Sequence, residues 1–265
     1  MIEHAYAKIN LILDIKGKRP DGYHELKSFM IPIDYYDTLE FKPSEILTLT
    51  SNIEIEDNGI TKVMQYMKET YQVKTGAHIH LEKHIPIGAG LAGGSSDMTA
   101  TIRGLDRLWG LNLSGKEKEH IANRFGSDTL FTLYSEPAII TGRGDEISLV
   151  DMTEKIEDIL LILPNISLLT KDVFKAFDKK DSHDFNKAFN QVMRKDYSLL
   201  YNDLLGAALA SNQTYHNLYQ QLLSKGLNIH LSGSGSTFYI LYPTEMDLAL
   251  LNEFNELKII RTKQR

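Results

Sequence analysis

Residues 86–97 read PIGAGLAGGSSD, with glycine at 88, 90, 93 and 94 and serine at 95 and 96. Glycine loses more backbone freedom on folding than any other residue, so a run this dense implies that something approaches the main chain closely. The loop feeds a helical pattern, Met98, Ile102, Leu105, Leu108 and Trp109, with Ser95 or Ser96 placed to cap it and Asp97 in its first turn. A glycine loop opening a helix offers backbone N–H groups and the positive end of the helix dipole, which makes an anion site, most often for phosphate. A tight turn needing only positive φ would manage with fewer small residues. Gly88, Gly90 and Gly93 have the spacing of a dinucleotide fingerprint, but Pro86 separates strand from loop and helix replaces the acid-ended strand that should follow. Gly94 stands where a Walker A loop carries its lysine. A phosphate loop of this kind takes its cation from elsewhere in the chain.

Lys8 interrupts the apolar run AKINL (7–11), as a functional cation or as a solvated edge lysine. Asp128, in FGSDTLF, suits a general base; read alone, GSD equally suits an Asx turn or a helix cap. Tyr23 and His24 sit on the glycine turn GKRPDGYHEL (17–26), where they make poor core material, and SGSGST (232–237) is a further glycine turn. His78, His80, Glu82 and His84 share one face of a strand, but four such residues extend over about 20 Å, too far to surround one ion. They read as a polar outer face.

The elements that must position these residues follow from periodicity. Alternation predicts strands over 5–15, 29–41, 46–55 and 77–85, and helical spacing predicts helices over 60–71 and 116–125. Strands near 138–141 and 146–150 precede the polar stretch 151–158, the candidate boundary. Beyond it come an apolar strand, ILLILPN, helices near 170–178, 184–194, 198–210 and 214–225, and a strand–glycine turn–strand unit over 228–243. The class is α+β in two domains. The 265 residues are 42% hydrophobic and 24% charged, with net charge −6 and no cysteine. This excludes disulfides, thiolate chemistry and a general nucleic-acid binder, and no apolar run approaches membrane-spanning length. A cytoplasmic protein acting on small molecules is expected, with no nucleic-acid or membrane partner.

The glycine loop, with AKINL, GKRPDGYHEL and SGSGST in this order, resembles the motifs of the GHMP kinases. Within that superfamily the DGYHE segment is most similar to the kinases that act on 4-diphosphocytidyl-2-C-methyl-D-erythritol in non-mevalonate isoprenoid synthesis. ITGRGDEI (140–147), SLLTKDVF (167–174) and NDLLGAAL (202–209) fit as well. The resemblance implies a two-domain GHMP kinase fold with the active site in the cleft. Residues 1–152 would form a ribosomal S5 domain 2-like ATP-binding domain with a left-handed crossover, and 153–265 a ferredoxin-like substrate-side domain. It implies ATP and Mg²⁺, with no direct protein ligand for the metal assigned.

The same resemblance distributes roles. Lys8 and Asp128 match the catalytic pair, with Lys8 beside the reacting phosphate. Asn10 lies near the acceptor hydroxyls, Tyr23 and His24 contact the cytosine, and Phe174 stacks on its other face. Gly88, Ala89, Gly90, Leu91, Ala92, Gly93, Gly94, Ser95 and Ser96 cradle the ATP phosphates, Asn58 and Lys83 lie near the adenosine, and Gly233 and Gly235 let the third turn pass close to phosphate. Departures from the family pattern are Gly59, Ala92, Met98, Ser236 and the run Thr129-Leu130-Phe131-Thr132. They bear on backbone placement around Asp128. The alternatives are a GHMP kinase for another small alcohol and a nucleotide-binding homologue with little or no turnover.

Overall fold

The computed structural model describes residues 1–20, 22–178 and 182–265, so Asp21 of the DGYHE segment lies outside the described residues. The chain forms two compact units that interleave in sequence. Met1–Ala7, Tyr35–Pro86 and Ala92–Ser135 make the first; Lys8–Asp34, Ile87–Leu91 and Glu136–Arg265 make the second. A single cut at 152 does not reproduce them. The reason lies in β1 (Ile2–Lys18) and β2 (His24–Ser44), whose 17 and 21 residues are long enough to contribute to both.

In the first unit the later part of β2 leads to β3 (Leu47–Ser51), α1 (Gly59–Thr70), β4 (Gly76–Glu82), α2 (Gly93–Trp109), α3 (Gly115–Asn123) and α4 (Thr129–Tyr134). β4 pairs antiparallel with β2, Leu39 opposite Leu81, and parallel with β3, Leu49 opposite Ile79. Its alternation sends Ala77, Ile79 and Leu81 into a core with Phe41, Val63, Met67, Ile102 and Leu105. The opposite face carries the histidines, where His78 and His80 each meet a β3 threonine, Thr48 at 2.8 Å and Thr50 at 2.9 Å. The six-residue α4, immediately after Asp128, is too short to leave a periodic signal.

The second unit continues with β5 (Ala138–Gly142), β6 (Glu146–Leu149), β7 (Ile159–Pro164), α5 (Thr170–Ala176), α6 (Phe185–Val192), β8 (Tyr201–Asn202), α7 (Leu205–Ser211), α8 (Gln213–Ser224), β9 (His230–Leu231), β10 (Phe238–Leu241), α9 (Glu245–Leu251) and β11 (Leu257–Thr262). β5 pairs with the early part of β2 and with β6. A separate antiparallel sheet runs β11-β7-β10-β9. Its apolar faces and Tyr215, Leu218 and Leu222 of α8 build the second core. The expected helix over 198–210 is instead a short strand followed by α7. β8 pairs in parallel with β1, and Asp203 locks the break by donating its N–H to Leu13 O at 2.9 Å and accepting from Ile15 N at 2.8 Å. Tertiary bonds override local propensity there. Among the described residues no helix is long and apolar enough to cross a membrane.

Candidate functional site

In the second unit, β1 carries Lys8 inward, where it is 3% exposed and donates to Asn10 Oδ1 at 2.7 Å. Asn10 is fixed on every side. Its Oδ1 also accepts from Gly233 N at 2.9 Å, its Nδ2 donates to Ser28 Oγ at 2.8 Å, and the Tyr239 hydroxyl donates to its carbonyl at 2.9 Å. The two glycine turns close on this pair. Ser232 Oγ donates to Gly90 O at 3.0 Å, Thr237 N to Ala89 O at 3.2 Å, and Lys8 N to Leu91 O at 3.1 Å. A Cβ at Gly90 would lie 2.2 Å from Ser232 O, and one at Gly233 would lie 2.8 Å from Gly90 O and 3.0 Å from the Lys8 ammonium. Backbone thus meets backbone around a buried cation, which is why no side chain fits.

The aromatic residues of the same unit lie against one another and against Arg143. His24 lies against Phe174, centroids 5.2 Å apart and planes 33° apart, and meets Phe177 edge-on at 5.7 Å. Burial, then the charge of Lys18, lowers the His24 pKa and favours a neutral imidazole. Tyr23 is 56% exposed, and the Arg143 guanidinium lies 5.6 Å from its ring centroid. Phe177 and Arg143 had signals in the sequence: Phe177 follows Phe174 by one helical turn, and Arg143 sits inside ITGRGDEI.

In the first unit, α2 begins at Gly93, so Ser95 and Ser96 lie inside its first turn rather than capping it. Ala92 is the N-cap, left-handed at φ 58°, with no side-chain capping bond, and Ser96 Oγ donates instead to Tyr6 O at 2.7 Å. Such a start keeps main-chain N–H groups for an anion. Asp97 is not in the exposed first turn. Its Oδ2 lies 2.9 Å from Lys83 Nζ, and Lys83 also pairs with Asp37. Asp37 Oδ1 accepts from the N–H groups of His84 and Ile85, which fixes the chain entering the loop. Burial above all, with Asp37 adding to it and Lys83 opposing it, pushes the Asp97 carboxyl up to about 7.

The Lys83 ammonium lies under the start of α2, 2.8 Å from where a Gly93 Cβ would be. Asn58 caps α1, its Oδ1 accepting from Ile60 N at 2.9 Å, and lines a concavity of about 430 Å³ with Ser51, Ile53, Ile55 and Thr61. Lys83 is not among the residues lining it. Asp128 stands at the N-cap position of α4, yet its side chain makes no capping hydrogen bond. That removes the helix-cap alternative for this residue. The Gly59 and Met98 departures belong together, since a Cβ at Gly59 would lie 2.5 Å from Met98 Sδ.

Residues 58–136 match the family model described as the GHMP kinases N terminal domain. The chain is 39% identical over 250 residues to the 4-diphosphocytidyl-2-C-methyl-D-erythritol kinase of Thermoanaerobacter pseudethanolicus, covering 90% of this chain and 86% of that one. The kinase of the same name from Clostridium tetani is 33% identical over 276 residues, with 97% and 98% covered. In fold, the chain is similar to a crystal structure of 4-(cytidine 5'-diphospho)-2C-methyl-D-erythritol kinase, with TM-score 0.84 at 24% identity and 100% of both chains covered. It is also similar to L. major mevalonate kinase in complex with R-mevalonate, with TM-score 0.69 at 16% identity, 100% of this chain and 96% of that one covered.

Proposed function

Since the chain belongs to the GHMP kinases, on the branch of the 4-diphosphocytidyl-2-C-methyl-D-erythritol kinases, we propose that it phosphorylates the 2-hydroxyl of 4-diphosphocytidyl-2-C-methyl-D-erythritol at the expense of ATP. The products are the 2-phosphate and ADP, and the step belongs to non-mevalonate isoprenoid synthesis. One observation carries this reading: a buried lysine ammonium, on Lys8, lies where two glycine turns meet backbone to backbone. It supplies the cation that a loop without its own lysine requires. The strand order β11-β7-β10-β9, with β9 and β10 adjacent in sequence, supports a ferredoxin-like naming for the C-terminal domain. The ribosomal S5 domain 2-like name and the 1–152 and 153–265 domain assignment rest on the family.

The residues present fit a triphosphate. The start of α2 has no side-chain cap, and the loop from Gly88 to Ser96 is built mostly of small residues, a composition that leaves main-chain N–H groups for an anion. ATP brings the transferable phosphoryl group, and Mg²⁺ is a hard cation held mainly by phosphate oxygens. Lys8, held straight by Asn10, stabilises negative charge on the phosphoryl oxygens. Asp128 accepts or orients the proton of the acceptor hydroxyl. Asn58 and the concavity beside it take the adenosine, while Lys83 braces α2 from below. The neutral imidazole of His24 hydrogen-bonds the cytosine edge, with Tyr23 and Phe174 as the stacking surfaces.

A second reading, a kinase for another small alcohol, is favoured by the direct packing of His24 on Phe174, whose rings at 5.2 Å leave no slot for a base between them. ADP release from the purified protein with MgATP and 4-diphosphocytidyl-2-C-methyl-D-erythritol decides between them, with Asp128→Asn as control. Substrate-dependent ADP, lost in the control, is the expected result. ATP binding without any response to cytidine compounds would hand the case to the second reading.

A further inference from the structure

The Asp128 side chain makes no capping bond to α4, and its main chain opens that helix. Its carbonyl accepts from Thr132 N at 3.0 Å, the first bond of that helix. The Thr129 hydroxyl reaches back to the end of α3, bonding Ala122 O at 2.6 Å and Gly126 O. The Thr132 hydroxyl donates to Thr129 O at 3.2 Å and accepts from Thr99 Oγ1, also at 3.2 Å. Thr99 belongs to α2, and its hydroxyl lies 3.1 Å from Ser96 O in that helix's first turn. All three threonines are at most 2% exposed. On the other side of Asp128, a Cβ at Gly126 would lie 3.8 Å from Ser95 Oγ, so this segment runs beside the loop serines.

We propose that the paired hydroxyls of Thr99 and Thr132 are a positioning device for Asp128, fixing its main chain relative to the start of α2. The inference rests on the reading of Asp128 as the group that handles the acceptor proton. A buried hydroxyl bonded to another hydroxyl is directional, whereas the apolar contacts around it are not. It therefore sets the rotation of α4 about its axis, and with it where the Asp128 side chain leaves the main chain. Valine fills the same space as threonine, and in Thr132→Val the Thr99 hydroxyl still finds Ser96 O.

The test is Thr132→Val, Thr132→Ser, Thr99→Val and the Thr99→Val/Thr132→Val pair, each assayed for kcat, for KM toward MgATP and for thermal unfolding. A reacting group misplaced by about 1 Å loses on the order of 10²-fold in rate. Thr132→Val is accordingly expected to lower kcat by about 10- to 100-fold with KM for MgATP within about 2-fold. Thr132→Ser, which restores the hydroxyl, should recover most of the rate. The double variant should be no slower than the worse single one, because both remove the same bond. A Thr132→Val enzyme with parental kcat, or one whose kcat and MgATP affinity fall together, overturns the proposal. The ¹³Cγ shift of Asp128 in the MgATP-bound protein, assigned through Asp128→Asn, gives a readout that needs no acceptor. It should move in Thr132→Val and return in Thr132→Ser, and an unmoved resonance sinks the proposal. Absence of ADP in the parent with the cytidine substrate counts against the proposed reaction alone, since the resonance still decides the positioning role.

Discussion

Lys8 and Lys83 are set one inside β1 and one just past β4, 3% and 8% exposed, and each ammonium lies under a glycine. Their partners differ. Lys8 donates to the carboxamide of Asn10, whereas Lys83 is bracketed by the carboxylates of Asp37 and Asp97. A buried cluster of two acids and one base carries a surplus acid, and Asp97 is the group that rises toward protonation. Lys83 is thereby committed to holding the chain under Gly93. Lys8 donates to a neutral amide between the two glycine turns, and its ammonium lies 3.0 Å from where a Gly233 Cβ would be. The lesson is that burial of a lysine says little about its role until its partners are known.

The sharpest way to break this contrast is to remove each ammonium. Lys83→Met leaves two carboxylates buried without their cation and should destabilise the fold by about 3–5 kcal/mol in urea unfolding. Lys8→Met should act on rate instead, lowering kcat for ADP release by about 10²–10³-fold with a smaller stability loss than Lys83→Met. If the two losses came out interchanged, the assignment of brace and catalyst would be reversed.

The acid–base balance under α2 makes a pH prediction with a definite sign. Asp97 titrates at about 7 in the folded protein, against 3.8 for the ordinary side chain. Between those values the folded state keeps a proton that the unfolded chain has released, so stability falls as pH rises from about 4 to about 7 and levels off above. The change is on the order of 1–4 kcal/mol. Asp97→Asn should flatten that slope in denaturation curves taken at pH 5 and pH 8. An unchanged slope would mean that the cluster keeps all its charges throughout.

Two smaller effects measure how tightly α2 is held. Gly59→Ala should cost about 1 kcal/mol in the parent by crowding Met98, yet gain up to about 1 kcal/mol of helix propensity in a Met98→Ala background. A double-mutant cycle reads that change of sign, and additive values would show that α2 has room to shift. Ala92→Gly, at a left-handed N-cap, should stabilise by about 1 kcal/mol in thermal unfolding, because only the Cβ opposes that conformation.

How much of this was legible depended on the range of the interactions involved. The alternation of β4 and the polarity of its histidine face follow from neighbours along the chain and stand in the structure as the periodicity predicts, and the glycine loop leads into a helix as expected, though α2 begins inside it at Gly93. Asp203 and β8 were not legible, since their bonds reach back to Leu13 and Ile15. The same holds for Asp97, whose spacing suits a first turn but whose surroundings are Lys83 and Asp37. Gly59 and Met98 each departed from the family pattern singly, and only their contact makes them a compensating pair.

The sequence by itself determined which residue types were available for chemistry: a glycine loop ahead of a helix, a lysine in an apolar strand, an aspartate after a glycine, and a turn carrying Tyr23 and His24. It determined the family too, because motif order and spacing survive where most other positions have changed. The tertiary structure decided that Lys83 pairs with Asp37 and Asp97 while Lys8 bonds Asn10, that no serine caps α2, and that Asp128 opens α4 without a side-chain cap. Local pattern fixes dihedral preference and amphipathic faces, but the charge state and orientation of a buried polar group are set by partners that the chain brings in from a distance.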